Sequence, residues 1–174
     1  MNFNFIRPTL TGLRQIRPPQ LVGVAALTGL DLVIKFSVER GLGTLGASIP
    51  IFPGLNLTLG HNRGVSFGLL DSSFWLTPVL LACVAVVLVT FALGWTARQK
   101  SKLVNAAGFF FAAGGFANAI DRLGDGAVTD YLDFGLQAMR WPTFNLADVF
   151  VFTGVMLLLA GWKLRPQASQ EVEQ

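Results

Sequence analysis

The sequence predicts an all-α integral membrane protein: four transmembrane helices with a small strand-containing extracytoplasmic region. Three observations carry that prediction. Apolar residues make up 52% of the 174-residue chain against 13% charged, with a mean hydropathy of +0.56, too apolar for a soluble domain of this size. Runs of helix length with little or no charge recur four times. Basic residues gather at the chain ends and in one loop, whereas five of the ten acidic residues (Asp121, Asp125, Asp130, Asp133, Asp148) crowd between Gly114 and Gly154.

Residues 1–20 carry Arg7, Arg14 and Arg17, no acid, and the breakers Pro8, Pro18 and Pro19. They read as a basic tail ahead of the first span, residues 21–38, which at about 1.5 Å per residue reaches roughly 27 Å. A cleavable signal peptide is the competing reading, but the run is long for one and contains Asp31 and Lys35. Residues 39–73 are glycine-rich with short apolar alternations (SIPIF, LNLTL), expected as strands in an outer loop. The second span, 74–95, is uncharged with a tryptophan at each end, an interfacial anchor pattern. Arg98, Lys100 and Lys102 follow. The third span, 103–120, is rich in glycine and alanine, as helices that pack closely in lipid tend to be.

Residues 121–142 form the second outer loop, where VTDYLDF reads as extended because β-branched and aromatic residues interrupt the acids. The fourth span poses a length problem. Its uncharged run, 149–162, covers only about 21 Å of a roughly 30 Å core. Starting the helix near Thr143, after Pro142, gives residues 143–162 and sets Asp148 about 7 Å inside the helix start. The basic N-terminal tail, the 98–102 loop and the Lys163/Arg165 end, with the tail 166–174, are then cytoplasmic. Both outer loops and the acid-rich segment face the extracytoplasmic side.

Several function classes drop out. The single cysteine, Cys83, allows no internal disulfide and no cysteine metal site; in its apolar run it reads as packing. The only histidine, His61, reads as a plain loop residue, which removes Ser-His and Cys-His catalysis unless that one residue serves. No basic face with interleaved aromatics is visible for nucleic acid.

The ionisable residues at membrane depth are the candidates for function. Asp31 has Lys35 four residues on, in the favourable acid-before-base order, and the pair reads first as mutual neutralisation. Asp121 precedes Arg122, which suits a helix-end ion pair, with Arg122 the better placed to touch a ligand. Asn118 and Asp121 share a helix face, as do Asn145 and Asp148. Asp130 and Asp148 have no adjacent cation, and two close carboxylates in a low-dielectric site share one proton, so that one serves as base and the other as acid. That pair could activate water against an amide without a metal. Asp133 competes with Asp130, and on an extended chain the two point to opposite faces. In the segment 62–68 the asparagine and glycines read equally as a tight turn or as a donor, Asn62, for a substrate backbone.

Taken together these residues resemble the lipoprotein signal peptidase (signal peptidase II) family. The match lies in Asp31-x-x-x-Lys35, Asn62-x-Gly64, Gly114-Gly115-x-x-Asn118-x-x-Asp121-Arg122, Val128-Thr129-Asp130-Tyr131 and Phe144-Asn145-x-Ala147-Asp148 ahead of Gly154. The resemblance implies a membrane aspartic endopeptidase that removes the signal peptide of a prolipoprotein before a diacylglyceryl-modified cysteine. It implies no metal and no cofactor, lipidated precursors and membrane lipid as partners, a monomer, and the bacterial inner membrane as location. It makes Asp130 and Asp148 the catalytic pair in place of Asp133. Asn62, Gly64, Asn118, Asp121, Arg122, Asn145 and Ala147 then line or support the site, with Asp31 and Lys35 behind it. Ala117 and Leu32 depart from the family's usual glycine and glutamine, and the N-terminal tail lies outside the match.

Two other classes compete. A transporter or proton/cation-conducting protein would use the intramembrane aspartates as a path and need a sealed membrane. A metal-dependent lipid hydrolase would use them as ligands and respond to chelators. A purely structural membrane protein leaves the acid cluster unexplained.

Overall fold

The computed structural model describes residues 16, 18–64, 76–136 and 139–164. Most of both tails, the Ser66 to Gly68 part of the glycine turn and the start of the second span with its Trp75 anchor lie outside the described residues. Among the described residues the elements are α1 (Pro18–Leu42), β1 (Ser48–Phe52), β2 (Leu55–Asn62), α2 (Thr77–Thr96), α3 (Lys102–Asp125), β3 (Val128–Leu136), β4 (Met139–Arg140) and α4 (Leu146–Lys163). All four helices are long and apolar enough to cross a membrane. The strands form one antiparallel sheet in the order β1-β2-β3-β4.

Helix α3 lies at the centre and packs against the other three. Its buried face is almost all small: Ala107, Gly108, Ala112, Ala113, Gly114, Gly115, Ala117 and Ala119. In lipid there is little hydrophobic drive between helices, so close backbone approach has to supply the contact energy. Gly114 is where a neighbouring backbone stands nearest, because a Cβ there would run into the Ala147 carbonyl oxygen of α4. About two turns further along α4, a Cβ at Gly154 would stand 3.0 Å from the Ala107 carbonyl oxygen of α3. Thr28 of α1 adds a polar tie, donating to the Ala113 carbonyl over 3.0 Å.

The helix ends differ from the sequence expectation in instructive ways. Helix α1 continues to Leu42 and α3 to Asp125, so Glu39, Arg40, Asp121 and Arg122 are helical. Charged residues do not stop a helix; α3 stops at Gly126, whose φ of 71° is left-handed and whose N–H donates to the Arg122 carbonyl. The fourth helix starts at Leu146 and not near Thr143, because Asn145 caps it. Its 18 residues still give about 27 Å. Residues 143–145 are spent instead on the sheet, where Phe144 exchanges backbone bonds with Leu132 at 2.7 and 3.0 Å.

The strand expectations fall on β1, β2 and β3, and β3 pairs with β2 in a register that sets Asp130 opposite Gly60 and Thr129 opposite His61. His61 is therefore a strand residue, not a loop one. Cys83 is exposed on α2, so it faces out of the bundle where it was expected to pack inside; an apolar run gives no helical phase, and lipid accepts a thiol as readily as a protein core does.

Candidate active site

The site begins with the cap of α4. Asn145 has extended backbone and its Oδ1 accepts from the Asp148 N–H at 2.9 Å, while Asp148 Oδ2 accepts from the Asn145 N–H at 3.2 Å. This reciprocal capping box is worth about 1 kcal/mol to the helix. It also fixes both side chains. With Oδ1 occupied, the Asn145 amide turns its Nδ2 the other way and donates to Asp130 Oδ1 at 2.7 Å and to the Thr129 carbonyl at 3.4 Å. One fully buried asparagine thus bridges Asp130 on β3 and Asp148 on α4.

Asp148 takes a further bond on its other oxygen, from Asn118 Nδ2 at 2.9 Å. Both of its oxygens therefore accept from N–H groups, at the positive end of a helix, an arrangement suited to a carboxylate. Behind Asn118 sits Lys35, 2% exposed, whose Nζ donates to Asn118 Oδ1 at 2.8 Å and pairs with Asp31 at 2.9 Å and Asp121 at 3.1 Å. Asp31 Oδ1 accepts from the Ala147 N–H at 3.1 Å and from the Tyr131 hydroxyl at 3.2 Å. That hydroxyl in turn accepts from the Leu146 N–H at 3.1 Å. Asp121 also accepts from the Thr129 N–H at 2.8 Å. Removing one partner of so buried a pair costs about 3–5 kcal/mol, since the other charge is left alone.

Burial pushes the Asp130 carboxyl up to about 7, and the nearby Asp148 charge pushes the same way; the Asn145 and Asn62 amides and the Lys35 charge pull against both. Burial and the Asp31 charge likewise raise the Tyr131 phenol, which stays neutral. Asp133 goes the opposite way. Partial burial works to raise it, but hydrogen bonds from Thr58 and Arg140 outweigh that and hold it below the ordinary carboxylate range.

A cavity of about 680 Å³ opens at the pair. Asn62, Gly64, Asn118, Arg122, Asp130 and Asp148 form its polar end, and the rest is lined mostly by apolar side chains of α2, of α4 and of the segment just before α4. Several of these, among them Val84, Leu88 and Phe152, are exposed on the outer face of the bundle. The cavity is therefore polar at the sheet and apolar along the helices, as a site for an amphiphile would be.

The structure brings together Asp130, Asp148, Asn62, Gly64, Asn118 and Arg122 at this cavity, with Asn145, Ala147, Asp31, Lys35 and Asp121 packed behind. The Asp31–Lys35 pair forms as spacing suggested. Asp121 does not pair with Arg122; its ion pair is to Lys35, because successive residues on a helix point about 100° apart. Arg122 instead donates to the Gly64 carbonyl at 2.8 Å. Asn62 Oδ1 accepts from the Gly64 N–H at 3.1 Å, so the asparagine serves a turn, one of its two sequence readings, while it also lines the cavity. Sequence reasoning gave Tyr131 no role, although it is the only tyrosine in the chain and adjoins Asp130. It also missed Glu39, which accepts from Thr129 Oγ1 at 2.6 Å and lies 3.4 Å from His61. Among the described residues no group of three or more His, Cys, Asp or Glu is arranged to hold a metal ion.

Comparison with known proteins places this geometry in context. Residues 23–163 match the family model for signal peptidase (SPase) II. The lipoprotein signal peptidase of Coxiella burnetii (strain RSA 331 / Henzerling II) is 33% identical over 141 residues, covering 80% of this chain and 86% of that protein. The lipoprotein signal peptidase of Serratia proteamaculans (strain 568) is 36% identical over 140 residues, covering 75% and 81%. A bacterial membrane enzyme of known structure superposes with a TM-score of 0.73 at 23% identity, over 90% of this chain and 94% of that one, which establishes likeness of fold.

Proposed function

The chain belongs to the signal peptidase II family, and from that premise we propose that Asp130 and Asp148 are its catalytic pair. It is an aspartic-type peptidase and a multi-pass bacterial membrane protein that removes signal peptides from prolipoproteins. The transporter reading has no support among these relatives. The observation that carries the assignment of the pair is Asn145, which holds the Asp130 carboxylate by its side-chain amide and the Asp148 carboxylate by its backbone N–H, at the polar end of an otherwise apolar cavity.

In this reading Asp148, with N–H donors on both oxygens, is the carboxylate that takes a proton from the attacking water. Asp130, raised to about 7, holds the shared proton and delivers it toward the oxyanion or the leaving amine. Water adds to the scissile carbonyl, the C–N bond then breaks, and the acid and base roles return to their starting state. Arg122, Asn62 and Gly64 border the pair and would orient the peptide. The cut falls before a diacylglyceryl-modified cysteine, with the acyl chains along the apolar walls of the cavity and in surrounding lipid. Pair and supporting amides all come from one chain, which suits a monomer.

The sheet end of the bundle is taken as extracytoplasmic. Arg98, Lys100 and Lys102 join α2 to α3 at the opposite end, and Lys163 closes α4 there as well, which the positive-inside rule assigns to the cytoplasm together with both termini of the inner-membrane protein. The test is cleavage of a diacylglyceryl-modified precursor in detergent, with and without chelator, beside the unlipidated form. Chelator-resistant cleavage of the lipidated form alone is expected. Equal cleavage of both forms would remove the lipid from the specificity, and loss with chelator would replace the aspartate pair by a metal site.

A further inference from the structure

Lysine carries only donors, so it decides which end of an asparagine faces it. Lys35 Nζ is 2.8 Å from Asn118 Oδ1, and the amide's Nδ2 is thereby left to Asp148, 2.9 Å away. Among the described residues, no other contact of Asn118 chooses between its two ends. Were the amide to flip, its carbonyl oxygen would face the Asp148 carboxylate, acceptor against acceptor, in a buried site. The lysine is itself held from two sides, by Asp31 on its own helix and by Asp121 on α3. Asp31 also receives the Ala147 N–H, one residue before Asp148.

Resting on the assignment of the pair above, we propose that Lys35 is a positioning residue for the aspartates: it locks the Asn118 amide so that Asp148 is presented as an acceptor, and its charge balances the pair from behind. It touches no substrate. The charged and titratable groups around it are Asp31 and Glu39 on α1, Asp121 and Arg122 on α3, Asp130 and Tyr131 on β3, Asp148 on α4 and His61 on β2. The part of α2 at the cavity, Leu81 to Leu88, brings only apolar side chains.

The role has a signature that a purely structural lysine lacks. Burial and the Asp148 charge raise the Asp130 carboxyl to about 7, and the Lys35 charge draws it down. Loss of that charge moves Asp130 further up, so the pH at which the pair loses its shared proton rises. In Lys35→Met, kcat for the lipidated precursor falls on the order of a hundredfold, KM changes little, and the alkaline limb of the kcat/KM profile shifts to higher pH. Lys35→Met leaves Asp31 and Asp121 facing each other, so the double variant Asp31→Asn/Lys35→Met, which removes that repulsion and leaves Asp121 as the one carboxylate beside position 35, is measured beside it and shifts the same way. Thr28→Val, buried between the same two helices but outside the cluster, loses folded protein without moving the limb. An alkaline limb that stays at its wild-type position in the folded Lys35 variants, or a kcat loss that tracks the folded fraction as in Thr28→Val, overturns the role of Lys35 alone. Normal cleavage by Asp130→Asn overturns the aspartate pair, and this inference with it.

Discussion

Helix α3 presents two surfaces that work by different physics. Between Val104 and Gly115 it is a seam of glycine and alanine against α2 and α4, without a charge on it. From Asn118 to Arg122 the same helix carries the amide and ion-pair partners of the site. The seam tolerates nothing larger than what it holds, because its neighbours include backbone that cannot move aside. The polar end tolerates changes of size better than changes of donor and acceptor, because its bonded oxygens each accept from a particular donor. Gly114 marks the join: it touches the Ala147 carbonyl, the residue before Asp148.

The sharpest way to separate the two surfaces is to remove chemistry without removing shape. Asp130→Asn and Asp148→Asn each lower cleavage by about 10³-fold or more, with helical content and a cooperative melt retained. Asp130 has a folded-state pKa of about 7, above its ordinary value. Its favourable contribution to stability is therefore complete in acid and is lost as pH rises through about 7. Asp130→Asn accordingly melts above the wild type at pH 8, and that advantage shrinks as pH falls below about 7 and is gone by about pH 4. A variant that melted lower throughout would show that the carboxylate, not its proton, holds the fold.

A large effect of the other kind is expected at the seam. Gly114→Val drives a side chain into the α4 backbone and destabilises by about 1–3 kcal/mol or more, so activity falls in proportion to folded protein. Gly29→Ala, where an added Cβ meets nothing within 4 Å, keeps both melting temperature and activity. Activity per folded molecule, from melting curves read beside cleavage rates, distinguishes this pattern from the aspartate variants.

A smaller effect probes the coupling of the pair. On the proposed roles, the wild-type kcat/KM is expected to decline as pH rises through about 7, where Asp130 gives up its proton. In Asp148→Asn one of the two causes that raise Asp130 is gone, so carboxyl NMR of labelled Asp130 reports titration at lower pH than in the wild type. An unchanged titration would mean that burial alone raises it. The smallest effect belongs to Asp133, three residues along the same strand. Asp133→Asn leaves cleavage within about twofold and costs about 0–1 kcal/mol near neutral pH. Because Asp133 is held below the ordinary carboxylate range, its contribution is present above its unfolded pKa and fades only as pH falls through the lowered value. Melting of the wild type and variant therefore converges in acid.

Much of this was legible along the chain. Hydropathy marked four spans, because lipid asks the same apolar composition of a helix wherever it packs. Alternation marked β1 and β2, β-branched and aromatic residues marked β3, and odd spacing set Asp130 and Asp133 on opposite faces of an extended chain; the cap within Asn145-x-x-Asp148 went unread, because the same spacing also fits two residues inside a helix. The Asp31–Lys35 pair was readable too, since four residues on a helix are neighbours before any tertiary contact forms. What the linear chain could not decide is who sits across the gap between elements. Lys35 meets Asn118 across 83 positions, Thr129 meets Glu39 across 90 and Asp31 meets Ala147 across 116. Those distances depend on how closely α3 lets α1 and α4 approach, and that approach is set by the glycines of the seam. Sequence supplied the groups and their local geometry; only the packed helices determined that Asp121 serves Lys35 in place of Arg122, and that one asparagine reaches both aspartates.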